Sequence, residues 1–433
     1  MREIGVGLLG LGNVGAGVVR LLQENSGEIQ SRLGAKLVVR GAAVRDREKK
    51  RDSAINPKLI TTDVNSVIDR DDVDIICELV GGETLARDFV LRAINKKRHV
   101  VTANKALLAV HGEEIFTKAE KASIDVYYEA AVCGGVPIIR ALREGLASDK
   151  IEEIFGIVNG TSNYILTEMA KGSGQDFNEV LKEAQRLGYA EADPSLDVGG
   201  GDAAHKLVIL AMLAFGSSLP LKEIFVEGIS DLKPIDFEYA KRFGLVIKSL
   251  AIARDASPAI EARVHPAMVP KDWLLASVPG AQNAVYVNSY ALGGSMYYGA
   301  GAGMMPTAMS VVSDLMEVSR NIAAGITGRL PIRSFQSMRP RPLRPQKDIS
   351  SRYYLRFDVE DKPGVIGKLT TGLGARSISM AQVIQDGRKN ATDTVSIVVL
   401  THKAVEASVV QALADIANDD YISNPPTLLR VLG

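Results

Sequence analysis

The sequence is poor in cysteine, with only Cys77 and Cys133 among its 433 residues. Two cysteines so far apart suggest neither a disulfide framework nor a zinc cluster, and this favours the reducing cytoplasm. An excess of charge of either sign is also missing, because 51 lysines and arginines balance 51 aspartates and glutamates. The balance argues against nucleic acid or a membrane surface as a partner and favours a small molecule.

Long hydrophobic runs are missing as well. No apolar stretch reaches the roughly 18 residues of a membrane-spanning helix, and the start of the chain lacks the pattern of a signal peptide. The sequence therefore predicts neither segment. What is present is apolar content of 46% over 433 residues, enough to bury the cores of several domains.

The first third of the chain alternates strand-like and helical stretches. Apolar runs lie at residues 3–9, 37–44, 73–80, 99–102 and 125–129, with helical spacing between several of them. This alternation predicts a right-handed, doubly wound parallel sheet of the Rossmann type over residues 1–136. A later predicted helix, 307–324, is expected to return to this nucleotide-binding domain, so that residues 305–330 complete it.

The remainder of the chain consists of three segments with different sequence patterns. Residues 137–304 mix helices with strand-like runs, including a helix at 138–146 and one long strand-like run at 245–264, as in an α+β domain. Residues 331–351 are rich in proline and basic residues. This composition predicts an extended linker that is exposed to solvent, a solvated tether. Residues 352–433 follow the order β-α-β-β-α-β of a ferredoxin-like domain.

A G-x-G-x-x-G motif follows the first predicted strand directly and opens a helix. Its first glycine permits a tight turn, its second lets the backbone approach a pyrophosphate, and its third lets the helix pack on the strand. A glycine-rich turn without a ligand is the alternative, but strand, turn and helix all lie where a dinucleotide site needs them. The candidate cofactor-binding residues here are Gly10, Leu11, Gly12, Asn13, Val14 and Gly15.

The end of the second predicted strand bears on the choice of cofactor. An NAD-preferring site usually offers a carboxylate there, whereas this sequence offers Arg45, then Asp46, with basic residues at 49–51. The pattern favours NADP. In the alternative, Arg45 stacks on the adenine or faces solvent, Asp46 binds the ribose, and NAD is the cofactor.

Candidate chemistry lies in the stretch YAEADPSLDVGGGDAAHK. Asp202 and Lys206 are four residues apart and share a helix face, so the carboxylate can hold the ammonium in place. A lysine can donate a proton to a reduced aldehyde if burial or a second cation lowers its pKa, and Lys105 is the candidate second cation. Considered alone, the pair could be an ordinary helix salt bridge.

Other mechanisms have less support. The five histidines show neither metal-site spacing nor the arrangement with arginine and glutamate of other dehydrogenases. Cys133 could be a nucleophile, but no neighbouring histidine or helix start is evident to form its thiolate.

Nearly the whole chain resembles the homoserine dehydrogenase family. NGTSNYIL together with DAAHK is the most specific match, and the other matching stretches are GLLGLGNVG, VVTANKALLA, YYEAAVCGGVPII and YYGAGAGMMPTA. The resemblance implies reduction of L-aspartate 4-semialdehyde to L-homoserine with NADP or NAD, as a step in threonine, methionine and isoleucine biosynthesis. Three residues, Cys133, Ala300 and Met309, depart from the family pattern near the cofactor.

The resemblance also implies residue roles. Lys206 would donate the proton, Lys105 would assist it near the nicotinamide, and Gly303 would bind cofactor. Glu191 would bind the substrate ammonium, and the implied substrate-binding residues are Glu191, Asp197, Asp202 and Lys206. A structural sodium ion would be held largely by the backbone carbonyls of Glu129, Val132, Gly134 and Val136.

The stretch FDVEDKPGVIGKLTTGLGARSISM resembles an ACT domain. The resemblance implies that paired domains bind an amino acid, which suggests feedback by threonine in a homodimer or homotetramer. Ser377, preceded by Arg376, replaces the glycine that commonly ends the first helix, so the domain could instead mainly assemble subunits. Two other functions stay open: a hydroxy-acid or prephenate-type dehydrogenase, and a non-catalytic amino-acid sensor that binds nucleotide.

Overall fold

A doubly wound parallel sheet forms the first part of the computed structural model, which describes residues 2–49, 51, 54–172, 174–386 and 394–433. Its elements are β1 (Glu3–Leu9), α1 (Asn13–Glu24), α2 (Ser26–Leu33), β2 (Lys36–Ala43), β3 (Ile60–Thr61), α3 (Val64–Ile68), β4 (Ile75–Glu78), α4 (Thr84–Asn95), β5 (His99–Thr102), α5 (Lys105–Ala122) and β6 (Val126–Tyr127). The strand order is β3-β2-β1-β4-β5-β6, which confirms the predicted Rossmann-type sheet. The order reverses between β1 and β4, where such sheets open a ligand crevice at the carboxyl ends of their strands.

The middle of the chain packs helices against a mixed sheet. Its elements are α6 (Ile138–Arg140), β7 (Ile151–Ile157), α7 (Gly160–Met169), α8 (Phe177–Arg186), α9 (Ser195–Val198), α10 (Gly201–Phe215), β8 (Phe225–Val226), α11 (Pro234–Arg242), β9 (Leu245–Ala256), β10 (Ala259–Pro270), β11 (Gln282–Ser289), β12 (Gly293–Ala300) and α12 (Met304–Ala324). Helix α12 returns to the first sheet, where Ala308, Val311 and Leu315 share a buried cluster with Leu8 and Val18. No helix in the described ranges is long and apolar enough to span a membrane.

Two local predictions in the middle of the chain need correction, and one strand there was missed. The long strand-like run at 245–264 is an antiparallel hairpin, because the chain turns between β9 and β10 at Pro258, which has no amide hydrogen for a strand ladder. The helix expected at 138–146 is the short α6 followed by a π-helical turn, Ala141–Gly145. Strand β12 was not predicted, because this glycine-rich edge strand is only partly buried and lacks an apolar alternation.

The C-terminal part has the ferredoxin-like arrangement that its sequence predicts. Its elements are β13 (Ser350–Glu360), α13 (Val365–Ala375), β14 (Met380–Gln385), β15 (Thr394–Thr401), β16 (Ala404–Val405), α14 (Glu406–Ile416) and β17 (Thr427–Val431). The four main strands lie in the order β17-β13-β15-β14, and β17 also pairs in parallel with β10. The sheets of the middle and C-terminal parts are therefore continuous.

The segment 331–349 is not the solvated tether that its composition suggests. Ile332 is buried, and three arginines of the segment, Arg333, Arg341 and Arg344, have acidic partners elsewhere in the chain. Arg333 donates to Glu113 (3.0 Å) and Glu120 (2.7 Å), and Arg344 donates to Glu261 (3.0 Å). These three arginines hold the segment against the protein, because their charges pair within the same chain.

Replacing Ser377 with glycine is expected to stabilise the C-terminal domain. Ser377 has a φ of 59°, a left-handed conformation that costs a residue other than glycine about 1–2 kcal/mol. The greater freedom of glycine in the unfolded chain offsets part of this, so Ser377→Gly should gain up to about 1 kcal/mol. The measurement is the unfolding temperature, with the nearby exposed Ser379→Gly as control. An unchanged or lower temperature for Ser377→Gly would contradict the expectation.

Candidate functional site

The glycine turn after β1 has the geometry of a dinucleotide-binding loop. Gly10 has a φ of 104°, and a Cβ placed there would lie 2.7 Å from the carbonyl oxygen of Leu79. A Cβ at Gly15 would lie 2.3 Å from the carbonyl oxygen of Gly10, so only glycine lets α1 approach the turn this closely. A Cβ at Gly12, which precedes α1, would meet open space. The turn therefore leaves its open side at a helix N-terminus, where an anion binds well.

The other turn residues and Gly303 frame the same region. Asn13 and Val14 begin α1, and Leu11 is buried beneath them. Gly303 has a φ of 124° and precedes α12 directly. A Cβ at Gly17 of α1 would lie 2.9 Å from Met304, so the start of α12 packs against the helix that follows the glycine turn.

Arg45 lies just beyond β2, at the same edge of the sheet. Its side chain is exposed and makes no hydrogen bond or ion pair with another residue in the described part of the chain. The carboxylate of Asp46 instead accepts a hydrogen bond from the backbone amide of Glu48 (2.9 Å) and so stabilises its own turn. Within the basic run 49–51, Lys50 lies outside the described residues.

A buried carboxylate between two lysines forms the centre of the candidate active site. Lys206 on α10 donates to Oδ2 of Asp202 (2.7 Å) and to the carbonyl oxygen of Val158 (2.6 Å). The Nζ atom of Lys105 lies 3.1 Å from Oδ1 of Asp202. Asp202 and Lys206 thus make the contact that their spacing predicts, and Lys105, the candidate second cation, contacts the carboxylate rather than the ammonium of Lys206.

The two buried charges stabilise each other's ionised forms. Burial opposes the charged form of Asp202, but the ammonium groups of Lys206 and Lys105 outweigh it, and the pKa of Asp202 lies well below its ordinary value. Burial likewise opposes the charged form of Lys206, but Asp202 outweighs it and raises the pKa of Lys206. The condition that burial or a second cation lowers the pKa of the lysine is therefore not met, because the carboxylate of Asp202 outweighs the effect of burial.

Asn159, which the sequence patterns did not identify as a site residue, holds this cluster in place. Its amide donates to Asp202 (2.8 Å) and to Asp197 (2.7 Å), while its oxygen accepts from the amide of Ser162 (2.8 Å) and caps α7. Asparagine before a Gly-Thr-Ser stretch is a recognisable helix cap, and that signal could have found it. Asp197 is thereby fixed close to Asp202.

The structure does not bring Glu191 into this cluster. Its side chain is exposed, its backbone carbonyl accepts a hydrogen bond from Gln185 (3.1 Å), and its carboxylate contacts neither lysine. Cys133 is fully buried, and burial raises the pKa of its thiol to about 12. A thiol in this state is a poor nucleophile, so the cysteine mechanism has no support here.

The loop predicted to hold sodium is buried, and several of its carbonyl groups accept hydrogen bonds from the protein. The carbonyl oxygen of Gly134 accepts from Ser310 (2.7 Å), that of Val136 from the amide of Ile138 (2.8 Å), and that of Glu129 from the amide of Val132 (3.4 Å). Each carbonyl retains a second lone pair for a hard cation. Across the described residues no group of three acidic, histidine or cysteine side chains is placed to bind a metal, so an ion here would depend on these carbonyls.

The Rossmann-type sheet, its glycine turn and the lysine-carboxylate cluster together define a dinucleotide-dependent oxidoreductase. The family model described as homoserine dehydrogenase matches residues 137–316, that of its NAD binding domain matches 10–129, and that of the ACT domain matches 353–418. The chain therefore belongs to the homoserine dehydrogenase family, whose members are NAD(P)-dependent oxidoreductases.

Full-length relatives carry the same name. The homoserine dehydrogenases of Neisseria gonorrhoeae and Pseudomonas aeruginosa are each 44% identical, and the match covers 100% of this chain and 99% of theirs. A crystal structure of a homoserine dehydrogenase from Thiobacillus denitrificans superposes with a TM-score of 0.93 at 45% identity, covering 100% of this chain and 99% of that one. A hyperthermophilic archaeal homoserine dehydrogenase solved with NADPH, 24% identical over 78% of this chain and 100% of that one, shares the fold with a TM-score of 0.63.

Proposed function

We propose that this chain interconverts L-aspartate 4-semialdehyde and L-homoserine with a nicotinamide cofactor and that Lys206 is the proton donor. One observation carries this proposal. Lys105 follows β5 at the carboxyl edge of the parallel sheet, where such sheets bind dinucleotides, and its ammonium contacts the carboxylate that also holds Lys206. The proton donor is thereby joined to the edge at which the nicotinamide would lie.

The side chains of the cluster supply the proton and balance the charge. When bound, the reduced nicotinamide supplies a hydride to the aldehyde carbon, and the carbonyl bond pair moves to oxygen. The Lys206 ammonium has three N–H donors, of which Asp202 and the Val158 carbonyl use two. The third is free for the substrate oxygen and delivers the proton that turns the alkoxide into a hydroxyl. Lys105 stabilises the same developing charge.

Substrate binding involves the acidic residues around the cluster. Glu191, whose carboxylate is exposed, binds the ammonium of the amino acid, and Asp197 and Asp202, both held by the amide of Asn159, also bind the substrate. The experiment is absorbance of NADPH and of NADH after addition of L-aspartate 4-semialdehyde, with the product identified as L-homoserine. If folded protein binds nucleotide but consumes neither cofactor, the sensor function or another substrate replaces this proposal.

NADP is the proposed cofactor, with Arg45 at its 2′-phosphate. Two features support it: the Arg45 side chain is exposed and unpaired within the described residues, and the Asp46 carboxylate accepts a hydrogen bond in its own turn. A guanidinium matches a phosphate in charge and geometry. The NADPH in the archaeal structure is bound by that protein, and the assignment of Arg45 does not depend on it.

Arg45→Ala is expected to lower kcat/KM for NADPH about tenfold and to leave kcat/KM for NADH nearly unchanged, because only the 2′-phosphate needs the guanidinium. Initial rates with each cofactor measure this, with the neighbouring exposed Arg47→Ala as control. Equal losses with both cofactors would show that Arg45 binds some other part of the nucleotide.

A sodium ion is proposed at the carbonyl oxygens of Glu129, Val132, Gly134 and Val136. Support comes from the oxygen-only donor set in a buried loop and from the free lone pairs of these carbonyls. The ion would be structural and would hold the loop between β6 and α6. Unfolding temperatures in sodium chloride and in choline chloride test this proposal, and equal temperatures would contradict it.

Three further proposals concern regulation, assembly and location in the cell. The ACT domain binds threonine as a feedback inhibitor, the subunits form a homodimer or homotetramer, and the enzyme works in the cytoplasm. Addition of threonine to the activity assay, light scattering of the purified protein and cell fractionation test these three points. Absence of inhibition, a monomeric mass or an extracytoplasmic location would each remove the corresponding point.

A further inference from the structure

A fully buried carboxylate lies at the end of β4, outside the cluster described above. Oε1 of Glu78 accepts hydrogen bonds from the amides of Val80 (2.9 Å) and Gly81 (3.2 Å), and Oε2 accepts from the hydroxyl of Thr102 (2.6 Å). No lysine or arginine in the described residues pairs with it, and burial raises the pKa of Glu78. The side chain thus depends on donors from two separate segments, the loop after β4 and the end of β5.

The Thr102 end of this network leads to Lys105. The hydroxyl oxygen of Thr102 accepts from the amide of Asn104 (3.1 Å). Asn104 caps α5 by accepting from the amide of Leu107 (3.1 Å), and its own amide group donates to the carbonyl of Gly82 (2.7 Å). Lys105 is the first residue of α5, so Asn104 and Thr102 fix the backbone from which its ammonium extends.

The other end of the network leads to the glycine turn. The amide of Leu79 donates to the carbonyl of Leu9 (2.7 Å), and the carbonyl oxygen of Leu79 lies 2.7 Å from the position that a Cβ of Gly10 would occupy. The loop 79–82 therefore packs directly on the nucleotide-binding turn. Glu78 lies between that turn and Lys105, at the crevice where the strand order reverses.

We propose that Glu78 is a positioning residue: its carboxylate joins the loop 79–82 to the start of α5 and so sets where Lys105 lies relative to the bound nucleotide. This inference rests on the proposed function, in which Lys105 assists at the substrate carbonyl. Glutamine keeps the shape of this side chain but loses its charge: with its amide oxygen at the amides of Val80 and Gly81, its NH₂ would face Thr102, whose hydroxyl would have to accept instead of donate. The charge-assisted hydrogen bond that joins Thr102 to the carboxylate would thus be replaced by a weaker neutral one.

The test compares Glu78→Gln in the wild-type protein and in Lys105→Ala. The hydride step is measured as single-turnover oxidation of NADPH by L-aspartate 4-semialdehyde, and the Kd for NADPH by the fluorescence of the reduced nicotinamide. Glu78→Gln is expected to slow the step about 10-fold to 100-fold, because small misplacements of a catalytic group have effects of this size, with little change in Kd. In Lys105→Ala the same substitution is expected to have almost no effect.

Two further variants keep the test interpretable. Thr102→Val removes one donor with little change in shape and should reproduce the slower step even if Glu78→Gln fails to fold. Asp74→Asn alters a carboxylate that accepts from the amide of Gly5 (2.7 Å) at the opposite edge of the same sheet, and should keep the wild-type rate.

Three results would overturn the inference: an unchanged rate in both Glu78→Gln and Thr102→Val, an equal loss with and without Lys105, or a loss explained entirely by weaker NADPH binding. A wild-type protein that does not oxidise NADPH would instead remove the proposed function and this inference with it. A fully active Lys105→Ala would leave the proposed reaction in place and remove the role of Lys105, and with it this inference. The wild-type and Lys105→Ala arms therefore distinguish the two failures.

Discussion

Lys206→Met should lower kcat by about a thousandfold while NADPH still binds, because a positioned general acid contributes roughly 10²–10⁴ to such a reaction. Methionine keeps the length and helical preference of the side chain, so α10 should remain intact. The Asp202 carboxylate would keep its contact with Lys105. Single-turnover oxidation of NADPH measures the loss directly, since it reports the hydride step rather than product release.

The matched control is Lys222→Met, which changes an exposed lysine outside the cluster. Its rate should equal that of the wild-type protein. If Lys206→Met also kept near-normal turnover with the cofactor bound, Lys206 would not be the proton donor.

Asp202→Asn is expected to have the second largest effect, on both rate and stability. It leaves the ammonium of Lys206 buried without its carboxylate, and breaking a buried pair costs about 3 kcal/mol or more. The pKa of Lys206 should fall once Asp202 no longer raises it. We expect kcat to fall by about 100-fold and the alkaline limb of its pH profile to move to lower pH.

The stability difference should depend on pH in a defined direction. The folded-state pKa of Asp202 is depressed, so its contribution is present above the unfolded value of about 3.9 and is lost as pH falls through the folded value. The folded-state pKa of Lys206 is raised, so its contribution is present below the unfolded value of about 10.4 and is lost at higher pH. The free energy of unfolding of the wild-type protein should therefore exceed that of Asp202→Asn by the largest amount between these two pH limits.

Unfolding temperatures across this pH range test the point, with Asp193→Asn as control. Asp193 is an exposed carboxylate in the same stretch, and its replacement should change little. If the unfolding temperatures of wild type and Asp202→Asn differed by the same amount at every pH, the ion pair would not be the source of the stability difference.

Local patterns in the sequence predicted the parts of the molecule that depend on neighbouring residues. The glycine turn, the ends of β1 and β5 and the contact between Asp202 and Lys206 follow from spacings of a few residues. The β-α-β-β-α-β order of the last domain likewise follows from the spacing of apolar residues, which changes along the chain between the strand-like and the helical pattern.

What the sequence did not reveal depends on contacts between distant segments. The sequence indicated Lys105 as a second cation, but not that it contacts the carboxylate of Asp202 from a distant part of the chain. The pKa of Lys206 is raised, not lowered, because that buried carboxylate outweighs burial. The expectation of a solvated tether was wrong because the acidic partners of Arg333 and Arg344, Glu113 and Glu261, lie far away in sequence. The pairing of β10 with β17 likewise leaves no local signal.

The most direct test of the proposed reaction is the fate of deuterium from NADPH that is labelled at both C4 positions. The protein is incubated with this cofactor and L-aspartate 4-semialdehyde in ordinary water, and the product is examined by mass spectrometry and NMR. Direct hydride transfer predicts L-homoserine with one deuterium, located on C4. Homoserine without deuterium, or labelled cofactor that stays unconsumed by folded protein, would contradict the account.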